Sequence, residues 1–286
     1  GIIWKGKYKG QKQKWFVLRF DGEEKEINIK TKHPEFLDWK WINIDNLTDE
    51  VVDFKVKNNV LYSATLKKGG NLTCKALIVT CGTFMDGIMH IGHKQFKGGR
   101  MGERQSLGLT ASLKSYGFLM GRLKTGTPPR VHTKSINWNS LELAEGETDP
   151  LPFSMFTPKP FVPKNIPCYL AYTTKKTHNI INKNITSSAM FSGKISGVGP
   201  RYCPSIEDKV VRFADKNQHQ LFLEPEWENA NQIYINGFST SLSEKVQIQA
   251  LQSIGGLESV EIIRPGYAIE YDYFPSHQLK ASLETK

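Results

Sequence analysis

The sequence predicts an α/β protein, and three stretches carry that prediction. Ala76-Leu-Ile-Val-Thr80 is a continuous apolar run ending in the small-residue turn Cys81-Gly82-Thr83, the form of a strand buried on both faces of a sheet. Ser106 to Tyr116 reads as a helix closed by Gly117. Val210–Phe213, Gln220–Leu223 and Gln232–Ile235 alternate well enough to form an antiparallel group, and a further helix follows them.

Composition narrows the class. At 286 residues with 39% hydrophobic content, the chain can build one or two domains with real cores. No apolar run approaches the ~20 residues that cross a bilayer, and no charged-then-apolar leader opens the sequence, so a cytoplasmic location without membrane contact is expected. A net charge of +10 favours polyanionic partners without choosing among RNA, DNA and acidic protein. Cys74, Cys81, Cys168 and Cys203 are irregularly spaced and form no C-x-x-C pair, so reduced, mostly buried thiols are expected. His90 and His93 form an H-x-x-H with no nearby Cys or acidic partner, and no metal site is expected there.

In the first segment, Trp15–Phe20 and Ile27–Ile29 read as strands joined by the turn Asp21–Glu24, and Glu35–Ile42 alternates aromatic with polar residues as a half-buried strand does. The phrases YKGQKQKWFVLRF, PEFLDWKWINIDNL and VVDFK resemble the second half of the Nudix-class RNA 5′-pyrophosphohydrolases. In that family a glutamate outside the main motif supports the catalytic metal, and Glu35 matches it. The Nudix box with its metal-binding glutamates is absent, and one glutamate cannot hold the Mg²⁺ that pyrophosphate hydrolysis needs. Residues 1–55 are therefore expected to be an incomplete, catalytically dead Nudix-type β segment with partly exposed Trp15, Phe16, Trp39 and Trp41.

Beyond the junction, Val60–Leu66 and Ala76–Thr80 read as strands across the turn Lys67-Lys-Gly-Gly70. Gly98–Glu103 opens the helix of Ser106–Tyr116, so Arg100 is expected at a helix amino end, where free N–H groups attract an anion. Gly121–Arg130 places the cations Arg122, Lys124 and Arg130 on a stretch that Gly126, Pro128 and Pro129 keep from being helical. It is either a phosphate-binding segment or a solvated charged loop.

The Pro- and acid-rich stretch from Trp138 to Phe161 reads as an excursion from the first sheet. Pro167–Thr173 resumes as a strand, and Thr177–Asn184 as a short helix after a Thr cap. Ser241-Leu-Ser-Glu244 has the spacing of a capping box, opening a helix that Gly255-Gly256 ends and whose Val246, Ala250, Leu251 and Ile254 face the core. Tyr267 and Glu270 either line a site or belong to the core.

The densest chemistry lies in Gly197-Val-Gly-Pro-Arg-Tyr-Cys-Pro-Ser-Ile-Glu-Asp-Lys209. Cys203 stands between Arg201 and Lys209, and cationic neighbours favour the nucleophilic thiolate. The alternative is a structural turn with a small buried thiol. Glu207 and Asp208 either orient Lys209 or are plain salt-bridge partners, the second being the simpler reading.

The runs GVGPRYCPSIEDKVVRFADK, HQLFLEPE, GRLKTGTPPR and RPGYAIEYDYF resemble the GidA (MnmG) family, the flavoprotein subunit of a tRNA wobble-uridine modification enzyme, over about residues 56–286. The resemblance implies a partial FAD-binding, Rossmann-like sheet of the two-dinucleotide-domain type over residues 56–130. An inserted α+β substrate domain over 131–260 and a return to the first domain over 261–286 follow from it. By the same resemblance Thr80, Gly82, Thr83, Arg100, Gly126, Arg264 and Gly266 contact the cofactor. Cys203, Arg201 and Lys209 are the catalytic group, and Arg122, Lys124 and Arg130 bind RNA. The implied cofactors are FAD, NADH and methylenetetrahydrofolate as one-carbon donor; the implied partners are tRNA, a GTPase subunit and a second copy of the chain in a homodimer.

The departures from that pattern are specific. No strand leads into a G-x-G-x-x-G turn, and Gly197-Val-Gly199 runs into Pro200 instead. The Cys-bearing motif after the fingerprint and the helical region that docks the GTPase are also missing. A fragment is therefore expected, with an inactive fusion remnant or RNA-binding scaffold as the alternative.

Overall fold

The computed structural model describes residues 50–200 and 204–286. The strands predicted before residue 50, their aromatics and Glu35 lie outside the described residues.

The described chain opens with an antiparallel meander of β1 (Val51–Lys57), β2 (Val60–Leu66) and β3 (Asn71–Thr73). Asn58 and Asn59 join the first pair with φ of 51° and 62°, the left-handed turn that matches the twist of a tight hairpin. β1 continues as one strand across the expected junction at 55–56, where its pairing with β2 shifts register between Lys55 and Val56; Phe54 stands opposite Ala64 before the shift and Lys57 opposite Val60 after it. The third strand differs from expectation. The turn Lys67–Gly70 leads into Asn71–Thr73, whereas Ala76–Thr80 forms no strand, and Ile78 is 86% exposed. A doubly buried strand needs a neighbour on each edge to satisfy its backbone and cover its side chains. Among the described residues nothing pairs with this run.

After β4 (Ile88–Ile91) and β5 (Lys94–Lys97), helix α1 covers Leu109–Ser115 and is followed by β6 (Gly121–Thr127). α1 starts after Gly108, so Arg100 is not at its amino end as expected; it closes a turn with Glu103 instead. The chain then crosses Pro128-Pro129 into a second sheet, made of β7 (Arg130–His132), β8 (Glu142–Ala144), β9 (Cys168–Tyr172), β10 (Gln220–Pro225), β11 (Gln232–Asn236) and β12 (Ile262–Arg264). It returns through Pro265-Gly266 to β13 (Tyr267–Tyr273). A Cβ on Gly266 would stand 2.9 Å from the Thr127 carbonyl oxygen, so the outgoing and returning segments can touch there only because residue 266 has no side chain.

Two larger sheets result. One has the order β5-β4-β13-β6, the other β12-β7-β11-β10-β9-β8, and every ladder between these strands is antiparallel. The architecture is mixed α/β as predicted, but the parallel Rossmann-like sheet is not formed among the described residues. The cause is again the unpaired Ala76–Thr80.

The main core lies under the six-stranded sheet. β10 buries Leu221 and Leu223 and exposes Phe222, the alternation expected of a half-buried strand, and β11 adds Ile233 and Ile235. Three helices cover that face: α2 (Lys175–Lys183) with Ile181, α3 (Ile206–Arg212) with Ile206 and Val210, and α4 (Glu244–Leu251) with Val246, Ala250 and Leu251. Each fully buried Leu or Ile contributes about 1.5–3 kcal/mol of apolar transfer.

The helix starts explain two departures. Val210–Phe213, predicted as a strand from its β-branched pair, is instead the end of α3. Ser205 accepts from the Asp208 N–H at 3.1 Å while Asp208 accepts from the Ser205 N–H at 3.2 Å, and this reciprocal cap commits the segment to helix. α4 is opened by Ser243 without a side-chain cap, so Ser241 does not cap it as its spacing suggested. In α2 the cap is Thr174, exchanging hydrogen bonds with Thr177 at 3.0 and 3.1 Å. Thr174→Ala is expected to lower stability by about 1 kcal/mol, with Thr174→Ser close to the parent, in urea unfolding. Equal losses for both variants would show that the hydroxyl cap is not the stabilising element.

Candidate active site

The sequence places Arg122 and Lys124 two residues apart on β6, so both side chains leave the same face of the strand. Along that strand runs the first part of the glycine-rich loop. Leu123 and Val198 form a parallel bridge, with the Lys124 N–H donating to the Val198 carbonyl at 3.1 Å and the Val198 N–H to the Arg122 carbonyl at 3.3 Å. Gly197 permits this contact, because a Cβ there would lie 2.9 Å from the Leu123 carbonyl carbon.

The neighbouring strand supplies the second fastening. Glu270 on β13 is 5% exposed, and its Oε1 accepts from the Ser196 N–H at 3.0 Å, the Ser196 hydroxyl at 2.8 Å and the Gly197 N–H at 2.7 Å. Its Oε2 faces Arg122 at 3.5 Å and His90 Nε2 at 3.8 Å. Burial pushes the Glu270 carboxyl up, but the Ser196 and Gly197 donors with the Arg122 guanidinium outweigh it and hold it below the ordinary value. Its contribution to stability is therefore present above about pH 4.5 and is lost as acidification passes its folded value. His90 is pushed down, first by burial, so it is neutral at pH 7 and its contact with Glu270 is not an ion pair.

Arg122 also donates to Asp272 at 2.6 Å and to the Asp86 carbonyl at 3.1 Å, while Thr110 donates to the other Asp272 oxygen at 2.9 Å. Asp86 is raised, first by burial and then by the Asp272 charge. The result is a buried polar hub joining β4, β6, β13 and α1.

Beside the hub opens a cleft of about 480 Å³, lined by Lys124 of β6, Met190, the loop from Ile195 and one side of α3 from Asp208 to its C-cap Phe213. Lys124 is its deepest cation, 6% exposed, with Nζ 3.8 Å from Asp208 Oδ2 and 2.8 Å from Met190 Sδ. Ile195, Pro200, Pro204 and Phe213 give it apolar walls, and Arg212 adds a second positive charge. An apolar enclosure with a few convergent polar groups suits a flat organic ligand with an anionic or carbonyl edge.

The predicted site residues distribute as follows. Cys203 and Arg201 lie outside the described residues, but Pro200 and Pro204 on either side of them line the cleft. Lys209 is half-buried on α3, lowered by burial, and donates to the Gly237 carbonyl at 3.0 Å; it is not among the cleft-lining residues. Glu207 is fully buried among serine hydroxyls and forms no ion pair with Lys209, whereas Asp208 combines a helix cap with the Lys124 contact. Arg130 pairs with Glu226 at 3.2 Å and lies over the Tyr234 ring.

The expected cofactor positions occupy three places. Thr83 donates to the Gly99 carbonyl at 2.7 Å and Arg100 pairs with Glu103, both in turns flanking the β4–β5 hairpin. Gly126, Arg264 and Gly266 lie where the chain passes between the two sheets. Thr80 ends the exposed run, and Gly82 has a left-handed φ of 53° with no neighbour near its Cβ position. The described residues do not assemble a dinucleotide cradle, because the run that would carry it has no sheet around it. Among the described residues no cluster of His, Cys, Asp and Glu could hold a metal ion.

Sequence reasoning missed Ser196, Asp272, Met190 and Phe213, and left Glu270 between site and core. Their partners lie 70 or more residues away in the chain in the case of Glu270 and Ser196, a separation that carries no local signal.

The class defined by this geometry is a mixed α/β protein in which a strand-bound loop and a parent sheet border an open cleft that holds a buried lysine. The family model described as glucose inhibited division protein A matches residues 40–286, and the chain belongs to that family. It is 49% identical over 245 residues to the tRNA uridine 5-carboxymethylaminomethyl modification enzyme MnmG of Chlorobium phaeobacteroides, covering 85% of this chain and 40% of that protein. It is 47% identical over 244 residues to the enzyme of the same name from Christiangramia forsetii, covering 85% of this chain and 39% of that one. Among solved structures, Aquifex aeolicus GidA in its form I crystal superposes with a TM-score of 0.77 at 47% identity, over 83% of this chain and 41% of that one. The chain thus spans about two fifths of the length of these relatives. The family match begins at residue 40, inside the segment expected to be Nudix-like, and nothing in the comparisons supports the Nudix resemblance.

Proposed function

We propose that this chain forms the substrate-facing part of a cytoplasmic flavoprotein that installs a 5-carboxymethylaminomethyl group on the wobble uridine of tRNA. The observation that carries this reading is the cleft itself: its rim is formed by the residues bordering Arg201 to Cys203, in a chain 49% identical to an enzyme named for that modification.

In this reading Cys203 is the nucleophile or acid/base group beside the uracil, and Arg201 and Lys209 favour its thiolate. Lys124 meets the polar edge of the base at the floor of the cleft, and Arg122 and Arg130 contribute positive charge toward RNA. The base must leave its stack to enter such a pocket. The family is a flavoprotein family. Thr80, Gly82, Thr83, Arg100, Gly126, Arg264 and Gly266 are its proposed cofactor positions here, and they need sheet neighbours that Ala76–Thr80 lacks among the described residues. NADH as reductant, methylenetetrahydrofolate as carbon donor, a GTPase subunit and a homodimer complete the proposal. Among the described residues no helix is long and apolar enough to cross a membrane.

A second reading, an RNA-binding scaffold without catalysis, is favoured by that same exposed run. One experiment separates them: residues 50–286 replace the matching segment of Aquifex aeolicus GidA, and modified uridine is measured by mass spectrometry of tRNA. The enzymatic reading expects modified nucleoside from the graft and a fall of about 100-fold or more with Cys203→Ser. Retained RNA binding with no modification by the unmutated graft favours the scaffold.

A further inference from the structure

We propose that Glu270 and Asp208 are positioning residues that pin the two ends of the Ser196–Ser205 loop to a single strand, β6, and so set the reactivity of Cys203. The part concerning Cys203 rests on the reading above.

At the loop's first end, Glu270 commits one carboxylate oxygen wholly to Ser196 and Gly197, through three donors within 3.0 Å, and turns the other toward Arg122. Successive N–H groups converging on one anionic oxygen make a local nest that a neutral side chain fills less well. At the far end Asp208 repeats the arrangement. Its Oδ2 accepts from the Ser205 N–H and hydroxyl, both at 3.2 Å, and faces Lys124 Nζ at 3.8 Å.

The two cations are neighbours on one face of β6. Two residues of strand span about 6.6–6.8 Å, a separation that a β ladder does not let vary. β6 is locked to β13 in unbroken register from Tyr267 opposite Thr127 to Tyr273 opposite Gly121. The loop ends are therefore referenced to a rigid element rather than to each other. A plain buried ion pair would need only the cations; here both carboxylates also hold backbone N–H groups of the loop, which is what makes them positioning groups.

The test uses the full chain carrying Glu270→Ala, Glu270→Gln or Asp208→Asn. Three quantities are read: amide hydrogen exchange in peptides covering 195–199 and 204–208, the iodoacetamide alkylation rate of Cys203 by peptide mass mapping, and thermal stability. Cys81 and Cys168 serve as internal controls. Glu270→Ala is expected to raise exchange at Ser196–Val198 at least ~10-fold and to change the Cys203 rate several-fold, leaving the control cysteines unmoved. Glu270→Gln keeps an acceptor oxygen, folds if the alanine variant does not, and is expected to show a smaller shift of the same sign. Unchanged exchange in 195–199, or an equal rise in all peptides, would overturn the clamp. Raised local exchange with a constant Cys203 rate would overturn the positioning role. None of these readouts needs tRNA or flavin, so a failed graft with a confirmed clamp sinks the enzymatic reading alone.

Discussion

Phe238→Ala is expected to destabilise the described body by about 3–5 kcal/mol, the range for emptying an aromatic site in a packed core. Phe238 is 0% exposed and is the largest fully buried side chain among the described residues. It enters the core immediately after β11, behind Gly237, and joins the cluster of Leu221, Ile235, Leu242 and Leu251. Several elements meet in that cluster, so collapse around the cavity would have to move a sheet and helices together. Relaxation is then small and the cavity cost stays near the upper end. Phe238→Leu keeps most of the volume and is expected to lose less than half as much. Denaturant unfolding checks both through a shifted midpoint at constant slope; an alanine variant within 1 kcal/mol of the parent would show that the site is not part of the cooperative core.

Glu207→Ala is expected to cost about 1–3 kcal/mol for each buried donor it strands. Glu207 is also completely buried. Its Oε1 accepts from the Ser241 N–H at 2.9 Å and from the Ser188 hydroxyl at 3.1 Å, while Oε2 has no partner among the described residues. Burial pushes this carboxyl up from its ordinary value near 4.5, against the pull of its hydrogen bonds. The folded state therefore holds the proton more tightly than the unfolded one. Glu207's contribution is complete below about pH 4.5 and is lost as pH rises through the raised folded value. Glu207→Gln keeps the Oε1 acceptor and cannot ionise, so its stability relative to the parent should increase between pH 5 and pH 8. A Gln variant whose relative stability stays flat over that interval would show that Glu207 is already ionised in the folded protein. Glu270 titrates with the opposite sign, because its donors and Arg122 outweigh burial, so the two glutamates separate cleanly by pH.

Much of the fold was legible where a pattern is local. The alternation of β10 and β11, the turn at Lys67–Gly70 and the inward face of α4 follow from side-chain periods of 2 and 3.6, which depend only on the backbone geometry of one element. The motif resemblance located the loop around Cys203 and the family to which the chain belongs. Where local signals competed, the reading failed. Val210-Val211 suggested a strand until the Ser205–Asp208 cap decided for helix, and Ser241 matched a capping box but spends its hydroxyl on Ser188 and Glu207.

Local patterns of residues specify which segments alternate, which loop concentrates reactive groups, and which family the chain resembles. It takes the folded chain to bring Arg122 and Lys124 against Glu270 and Asp208 across the sheet and loop, and to leave Ala76–Thr80 exposed. The physical reason is the same in both cases. A side chain's partners, and a strand's neighbours, come from chain segments far away in sequence, and no local period records which of them will be there.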